Sequence, residues 1–417
     1  MTDPSESNGR IDYAIDSDDE FSEDYEEPGA LTAGQVQGAV VYTLDWTVST
    51  IVEQIDADPD DPDSTGVLVT SPPFQRRTAW NDQRKSLFIE SLMLGLPIPP
   101  IVLAESQVNP SQFYVLDGKQ RLTALRSFIA NEGDPLKLKG LELLDSELSG
   151  KTYEQVRTQP DTRNYARALN AQPIRTIVVR NWQTPALLHL IFTRLNKQSV
   201  PLASHELRQA LFPGKMTNFV NKESGESSQL LAARRLNAPD ARLRDAETLL
   251  RYISFRTNID KYRGDLRDFM DRVLKGGNEV FGEIEGDLSS LVTSLNASID
   301  TTFHIFKKTA FLRYDAGRAK YMPRFNVSVF ETMTWYFADP EIAALARQKS
   351  DDVVEAFEQL VTTNPKFAGY LTSTTKTKDA ATGRLQEWGK ALGEAIGMEL
   401  DYSDHVLKFL PIAVAGK

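Results

Sequence analysis

The chain has 417 residues, 41% of them hydrophobic, with no cysteine and a formal net charge of −11. That length predicts two or three domains with real cores, and the absence of cysteine excludes disulfides, thiolate metal sites and a cysteine nucleophile. No stretch approaches the ~18 uninterrupted apolar residues of a membrane helix, and the acidic N-terminus is unlike a secretory leader, so a cytoplasmic protein without a membrane partner is expected.

The charge is unevenly placed. Residues 1–30 carry eleven acids and one base (Arg10), and residues 31–63 carry seven acids and none. The remaining 354 residues hold 40 acids and 46 bases, a net of +6. A mildly basic body permits a nucleic-acid surface without requiring one. Residues 1–37, poor in apolar types, are expected to form a disordered acidic tail. Such a tail is a solubilising segment, or it folds back on a basic groove in imitation of nucleic acid.

In chain order, the first expected strand is Val40–Leu44, after which Thr47 or Ser49 can cap a helix bearing Ile51, Val52 and Ile55. Asp56 to Asp63 reads as a solvated loop, Gly66–Val69 as a strand, and Pro72 to Arg77 as a stiff turn ending in polar groups. Asn81 caps a helix through Leu94, which Gly95 ends. Leu96-Pro97-Ile98-Pro99-Pro100 must be extended, because proline excludes helix and biases its predecessor away from it. Ile101–Leu103 and Phe113–Leu116 are short strands. After Gly133 the chain is expected to be less regular, with a strand at Leu136–Leu138, and a last strand is expected at Ile174–Val179. From Pro185 onward the periods are helical, as at Leu243–Phe255, Leu266–Leu274, Val327–Phe337 and Val353–Val361, with Gly- and Ser-rich breaks at 221–228 and 276–290. The fold class is α+β: a mixed α/β domain over 38–182 and an all-α region over 183–417.

The most informative stretch is Phe113 to Leu125. Asp117-Gly118 breaks the strand, and from Gln120 the apolar positions Leu122, Leu125, Phe128 and Ile129 share one helical face. A helix N-terminus at this switch presents unpaired N–H groups to an anion, and Lys119 and Arg121 add positive charge. Asp117 could hold Mg²⁺ or orient a water. The plainer reading is a strand–turn–helix capped by Asp117. There is no G-x-x-x-x-G-K-[ST], no G-x-G-x-x-G opening a helix and no H-E-x-x-H. The four histidines (His189, His205, His304, His405) lack ligand spacing, which leaves an H-N-H nuclease without support. Other polar constellations are Gln75-Arg76-Arg77, Phe192 to Lys197 with Glu206-Leu207-Arg208, and Arg242 to Arg251. Arg forks around an Asp suit a triphosphate. The last of these also fits a helix surface laced by i,i+4 ion pairs.

The order of F-Q-R at 74–76, W-x-x-Q-R-K-S-L-F-I-E-S-L-M-L-G-L-P-I-P at 80–99, V-L-D-G-K-Q-R-L-T-A-L at 115–125, and I-F-T-R-L-N-K-Q-S-V-P-L followed by E-L-R resembles the GmrSD-type restriction family, also known as domain of unknown function 262. The resemblance covers about residues 45 to 255, and a later family helix resembles Phe325 to Glu331. It implies a ParB/sulfiredoxin-like N-terminal domain that binds and hydrolyses a nucleoside triphosphate with Mg²⁺ in phage defence. The family's D-G-Q-Q-R stands here as Asp117-Gly118-Lys119-Gln120-Arg121, with Lys at the third position. The residues so implied are Asp117, Gln120 and Arg121 as catalytic, Asp117 also as metal ligand, and Gln75, Arg76, Gly118, Lys119, Thr123, Arg194 and Asn196 as nucleotide-binding. The chain lacks the H-N-H domain of many relatives. Any DNA cleavage would then fall to this domain, as in a nicking ParB-like protein, or to a partner such as a nuclease or methyltransferase beside it. A non-catalytic interaction module of a defence complex is the third reading.

Overall fold

The computed structural model describes residues 38–55, 66–69, 80–107, 110–130, 135–184, 187, 188, 190, 191, 194, 204–240, 242–372 and 377–413. Five strands form one sheet: β1 (Val40–Thr47), β2 (Leu68–Val69), β3 (Ile101–Glu105), β4 (Phe113–Asp117) and β5 (Pro173–Arg180). Their spatial order is β1-β5-β3-β4-β2. The pairs β1/β5 and β3/β4 are antiparallel, and β5/β3 and β4/β2 are parallel. β1 and β5 each run longer than the apolar pattern alone suggests. β1 is an edge strand with Val40 and Val41 exposed, and across it Asp45 pairs with Arg175 at 3.2 Å. β5 starts at Pro173, where a missing N–H costs no ladder bond.

Strand alternation divides the sheet's side chains between two faces. Ile101, Leu103, Val115, Ile174 and Val178 face one core. Over that face lie α1 (Val48–Gln54), α2 (Asp82–Met93), α3 (Lys119–Ile129) and α6 (Arg163–Ala171), with α4 (Asp145–Leu148) and α5 (Tyr153–Thr158) between. Thr47 caps α1 through the Thr50 N–H, and Asn81 caps α2 through the Arg84 N–H, both at the expected positions. Leu122, Leu125 and Phe128 of α3 are almost completely buried here. At about 1.5–3 kcal/mol for each such side chain, this burial fixes α3 against the sheet. Val102, Ala104, Tyr114, Leu116 and Val179 face the other way, under Trp182, Leu187, Leu188 and Leu211.

Two expectations for this region need correction. Leu136–Leu138 is not a strand. The Leu138 N–H donates to the Lys151 carbonyl and the Gly150 N–H to the Leu138 carbonyl, so the segment pairs with a loop while Leu136 and Leu138 fill the core. The stretch beyond it contains three short helices instead of irregular chain; α5 is begun by a capping box of Thr152 and Gln155.

The rest is mainly helical: α7 (Ser204–Leu211), α8 (Lys215–Glu226), α9 (Ser228–Ala233), α10 (Arg244–Asn258), α11 (Leu266–Glu279) and α12 (Phe281–Phe306). After α12 come a hairpin of β6 (Leu312–Asp315) and β7 (Lys320–Phe325), then α13 (Val327–Phe337), α14 (Pro340–Gln348), α15 (Ser350–Thr363), α16 (Pro365–Tyr370) and α17 (Lys378–Ile396). The region is therefore not all-α. The expected breaks at 221–228 and 276–290 each hold a helix junction of a single residue, Ser227 between α8 and α9 and Val280 between α11 and α12, and the rest of both ranges is helical. Gly282 and Gly286 have open space around them, and the face of α12 opposite Leu288, Leu291 and Leu295 is small, polar and exposed, with Ser289, Ser290 and Thr293 on it. Apart from the partly exposed Glu247, α10 is buried from Asp245 to Asn258, so Arg242 to Arg251 is not a surface of i,i+4 pairs. Arg244 does pair with Asp240 at 2.5 Å, but Arg251 reaches Glu331 on α13. Among the described residues no helix is long and apolar enough to cross a membrane.

Candidate functional site

The strand-to-helix switch occurs where the sequence places it. β4 ends at Asp117, Gly118 turns the chain, and α3 begins at Lys119. Gly118 has φ +102°, a left-handed conformation, and a Cβ there would lie 2.9 Å from Ile101 Cγ1 and 3.3 Å from Arg121 Nη2. Only glycine satisfies both conditions. Gly118→Ala is expected to destabilise the fold by about 1–3 kcal/mol, read from a urea denaturation midpoint. An unchanged midpoint would mean that the turn relaxes freely. Gly118 has no side chain to cap α3, and Asp117 makes no cap bond either. The plain reading of Asp117 as a helix cap therefore does not hold.

Asp117 has a different partner. The buried Arg121, one helical turn on, donates from Nη2 to Asp117 Oδ2 at 2.8 Å. Its Nη1 donates to the Pro99 carbonyl, with the Pro100 carbonyl at 3.4 Å. The proline-rich bend, extended as its composition demands, thus supplies acceptors to the same guanidinium that holds Asp117. Three groups distant in sequence are locked together beneath the turn, and Asp117 itself stays half-buried at its mouth. Lys119 and Gln120 are half-buried on the first turn of α3. Gln120 Oε1 accepts the Trp80 N–H at 3.4 Å. Trp80 is fixed in turn by an edge-on contact with Phe88 and by the Arg84 guanidinium 5.0 Å from its ring centre. Thr123 donates its hydroxyl back to the Lys119 carbonyl at 2.9 Å, a bond within its own helix. Asp117, Gly118, Lys119, Gln120 and Arg121 are therefore brought together. Arg194 is exposed, and among the described residues it makes no hydrogen bond or ion pair. Gln75, Arg76 and Asn196 lie outside the described residues.

A single carboxylate suits Mg²⁺, which keeps several waters and is bound by one or two carboxylates together with substrate phosphates. Among the described residues there is no group of three or more His, Asp or Glu that could form a complete protein cage for a metal.

Two residues within the motifs have roles that sequence reading does not assign. Glu90, inside the apolar run of α2, is buried, and its carboxylate accepts the N–H groups of Glu142, Leu143 and Leu144 at 3.0, 2.8 and 2.7 Å. It pins the loop before α4. An acid amid Phe88, Ile89 and Leu92 was its only signal. Arg208 is fully buried, with Nε 2.6 Å from Asp271 Oδ1 on α11 and Nη1 3.7 Å from Glu247 on α10. Three residues on, Leu211 packs under Leu116, the neighbour of Asp117. α7 thus joins the back of the sheet to the helical region. Nearby His205 is buried, with Nε2 3.3 Å from Asn221 Oδ1, in a packing position and not at the turn. At the rim of α2, a hydrogen bond from Lys139 holds the Asp82 carboxyl below the usual carboxylate range.

The family model described as GmrSD restriction endonuclease, N-terminal domain, matches residues 60–213. No curated protein and no solved structure matches the chain. The matched span starts ahead of β2 and ends beyond α7, so it contains the Asp117–Arg121 turn, the proline bend, Glu90 and Arg208. Residues 60–213 carry a GmrSD-type N-terminal domain.

Proposed function

We propose that this chain binds a nucleoside triphosphate at the turn between β4 and α3, hydrolyses it with Mg²⁺, and serves a restriction or anti-phage system that acts on DNA. The observation that carries the reading is the locked Arg121–Asp117–Pro99 arrangement at an uncapped helix N-terminus. An uncapped N-terminus attracts anions through its N–H groups and dipole. Phosphoryl transfer needs mostly positioning and charge stabilisation, and a preorganised site supplies these without reorganising. Lys119 would neutralise phosphate charge, and Gln120 would orient the attacking water. Asp117 would hold the metal, which draws charge from the phosphate oxygens. Arg121, committed to Asp117 and the proline carbonyls, acts as a positioning residue.

A panel of ATP, GTP, CTP and UTP tests the binding half of this reading by calorimetry and thermal melting, with Mg²⁺ and with EDTA. At least one nucleotide should bind with Mg²⁺ and raise the melting temperature, since a ligand at 100 times its Kd stabilises by about 2.7 kcal/mol. No heat and no shift with any of the four would sink it.

A further inference from the structure

The second half of the chain concentrates positive charge at a place the nucleotide turn does not use. Residues 307–324 hold six bases, Lys307, Lys308, Arg313, Arg318, Lys320 and Arg324, against one acid, Asp315. They occupy the short 3₁₀ turn after α12 and the β6–β7 ribbon. All but Arg313, which is half-buried, are exposed. Asp315 is taken by Arg318, whose N–H it accepts at 3.2 Å and whose Nε lies 4.0 Å away. Among the described residues no carboxylate pairs with Lys307, Lys308, Lys320 or Arg324.

These charges are held as one surface. The Arg235 guanidinium donates to the Lys308 carbonyl at 3.3 Å and to the Pro323 carbonyl at 3.4 Å, which ties the turn to the middle of β7. A cleft of about 400 Å³ opens beside it, lined in part by Arg235, Lys307 and Lys308. The ribbon's other side is anchored: Phe325 and Phe311 pack on Phe330 with ring centres 5.6 and 5.2 Å away, and Tyr314 packs on Tyr321 at 5.1 Å. Six non-glycine residues among those described have positive φ. Four of them, Arg235, Lys307, Phe311 and Ala319, lie in this small zone. Such conformations cost energy and persist where the surrounding structure over-determines them, which is frequent where side chains are aimed for use.

We propose that the 307–308 turn and the β6–β7 ribbon form a docking surface for the phosphate backbone of duplex DNA. The inference rests on the restriction reading and gives it a DNA contact remote in sequence from the nucleotide turn. A two-stranded ribbon is a shape that a duplex groove admits. Lys320 and Arg324, four residues apart, are separated by up to ~13 Å along β7, close to the ~12 Å width of the major groove. Single strands need exposed aromatic platforms, whereas Tyr314, Tyr321 and Phe325 are spent on the core. A lipid surface would call for exposed apolar side chains among the charges, and the exposed positions from 316 to 324 offer only Ala316, Ala319 and Pro323.

The test is fluorescence anisotropy of the full chain with a labelled duplex of about 30 base pairs, titrated from about 50 to 200 mM salt. It compares wild type with the triple variant Lys308→Ala, Lys320→Ala, Arg324→Ala. The variant should bind on the order of tenfold or more weakly at low salt. Its slope of log K against log salt should be shallower by about 3, near 0.9 for each lost phosphate contact. Its melting temperature and its nucleotide turnover without DNA should match wild type. Equal affinity and slope in the variant would overturn the surface, as would a preference of wild type for single-stranded RNA or phosphatidylserine vesicles. A wild type that hydrolyses nucleotide and binds no duplex overturns the surface alone. One that binds duplex through the ribbon and hydrolyses nothing overturns the nucleotide reading alone.

Discussion

Arg121→Ala should lower both stability and turnover, and it should do so in a particular ratio. The arginine side chain is 10% exposed and its partner Asp117 33% exposed, so part of the ion pair is screened by water. The proline carbonyls lose their donor as well. The combined loss should be about 2–3 kcal/mol in a urea denaturation. Asp117 would then be free to swing, and a misplaced group of this kind costs on the order of 10²-fold in rate. Because Arg121 points at Asp117 and the bend, kcat should fall while nucleotide affinity changes much less. Arg121→Lys should rescue little, since one ammonium cannot span both acceptors as the planar fork does. A collapse of nucleotide affinity with kcat preserved would instead place Arg121 directly on phosphate.

Glu331→Ala should be the most destabilising single substitution in the helical region. Glu331 on α13 receives two guanidinium groups, Arg251 from α10 and Arg384 from α17, and all three side chains are at most 5% exposed. Arg384 already feels the cost, because burial pulls its pKa below the ordinary arginine value. Removing the carboxylate would leave two buried cations facing each other, a change worth about 3–5 kcal/mol or more. The triple variant Arg251→Met, Glu331→Leu, Arg384→Leu removes every charge at once and should lose far less, since well-packed apolar replacements of a buried triad are often neutral. A Glu331→Ala denaturation midpoint within about 1 kcal/mol of wild type would show that water reaches the cluster.

These buried charges also mark where the sequence stops being readable. The strand–turn–helix from Phe113 to Ile129 is legible because its apolar period changes at a Gly that nothing else could replace. The caps Thr47 and Asn81 are legible for the same local reason. By contrast, Glu90, Arg208, Arg251 and Arg384 have the spacing of surface residues, and only long-range packing decides that they turn inward. Arg242 to Arg251 looked like an ion-paired surface on the same grounds. The β6–β7 hairpin is hidden because the alternation of Leu312 to Asp315 spans only four residues and Met322-Pro323 interrupts that of the second strand, where Pro323 also argues against a strand. Its stability comes instead from Phe311, Phe325 and Phe330 stacking at its base. At the site, the residue types and their order are legible, but the partner of Arg121 is not: Pro99 and Pro100 lie 21–22 residues away, and only the β3–β4 pairing brings them under the turn.

The most direct test is phosphate release from the nucleotide panel with Mg²⁺, by wild type and by Asp117→Asn, a substitution that keeps the shape of the side chain and removes its charge. Wild type should turn over at least one nucleoside triphosphate. The variant should be slower on the order of 10²-fold or more, with its fold intact by thermal melting. Equal rates in the two proteins, or no turnover by wild type of any nucleotide it binds, would contradict hydrolysis at this turn.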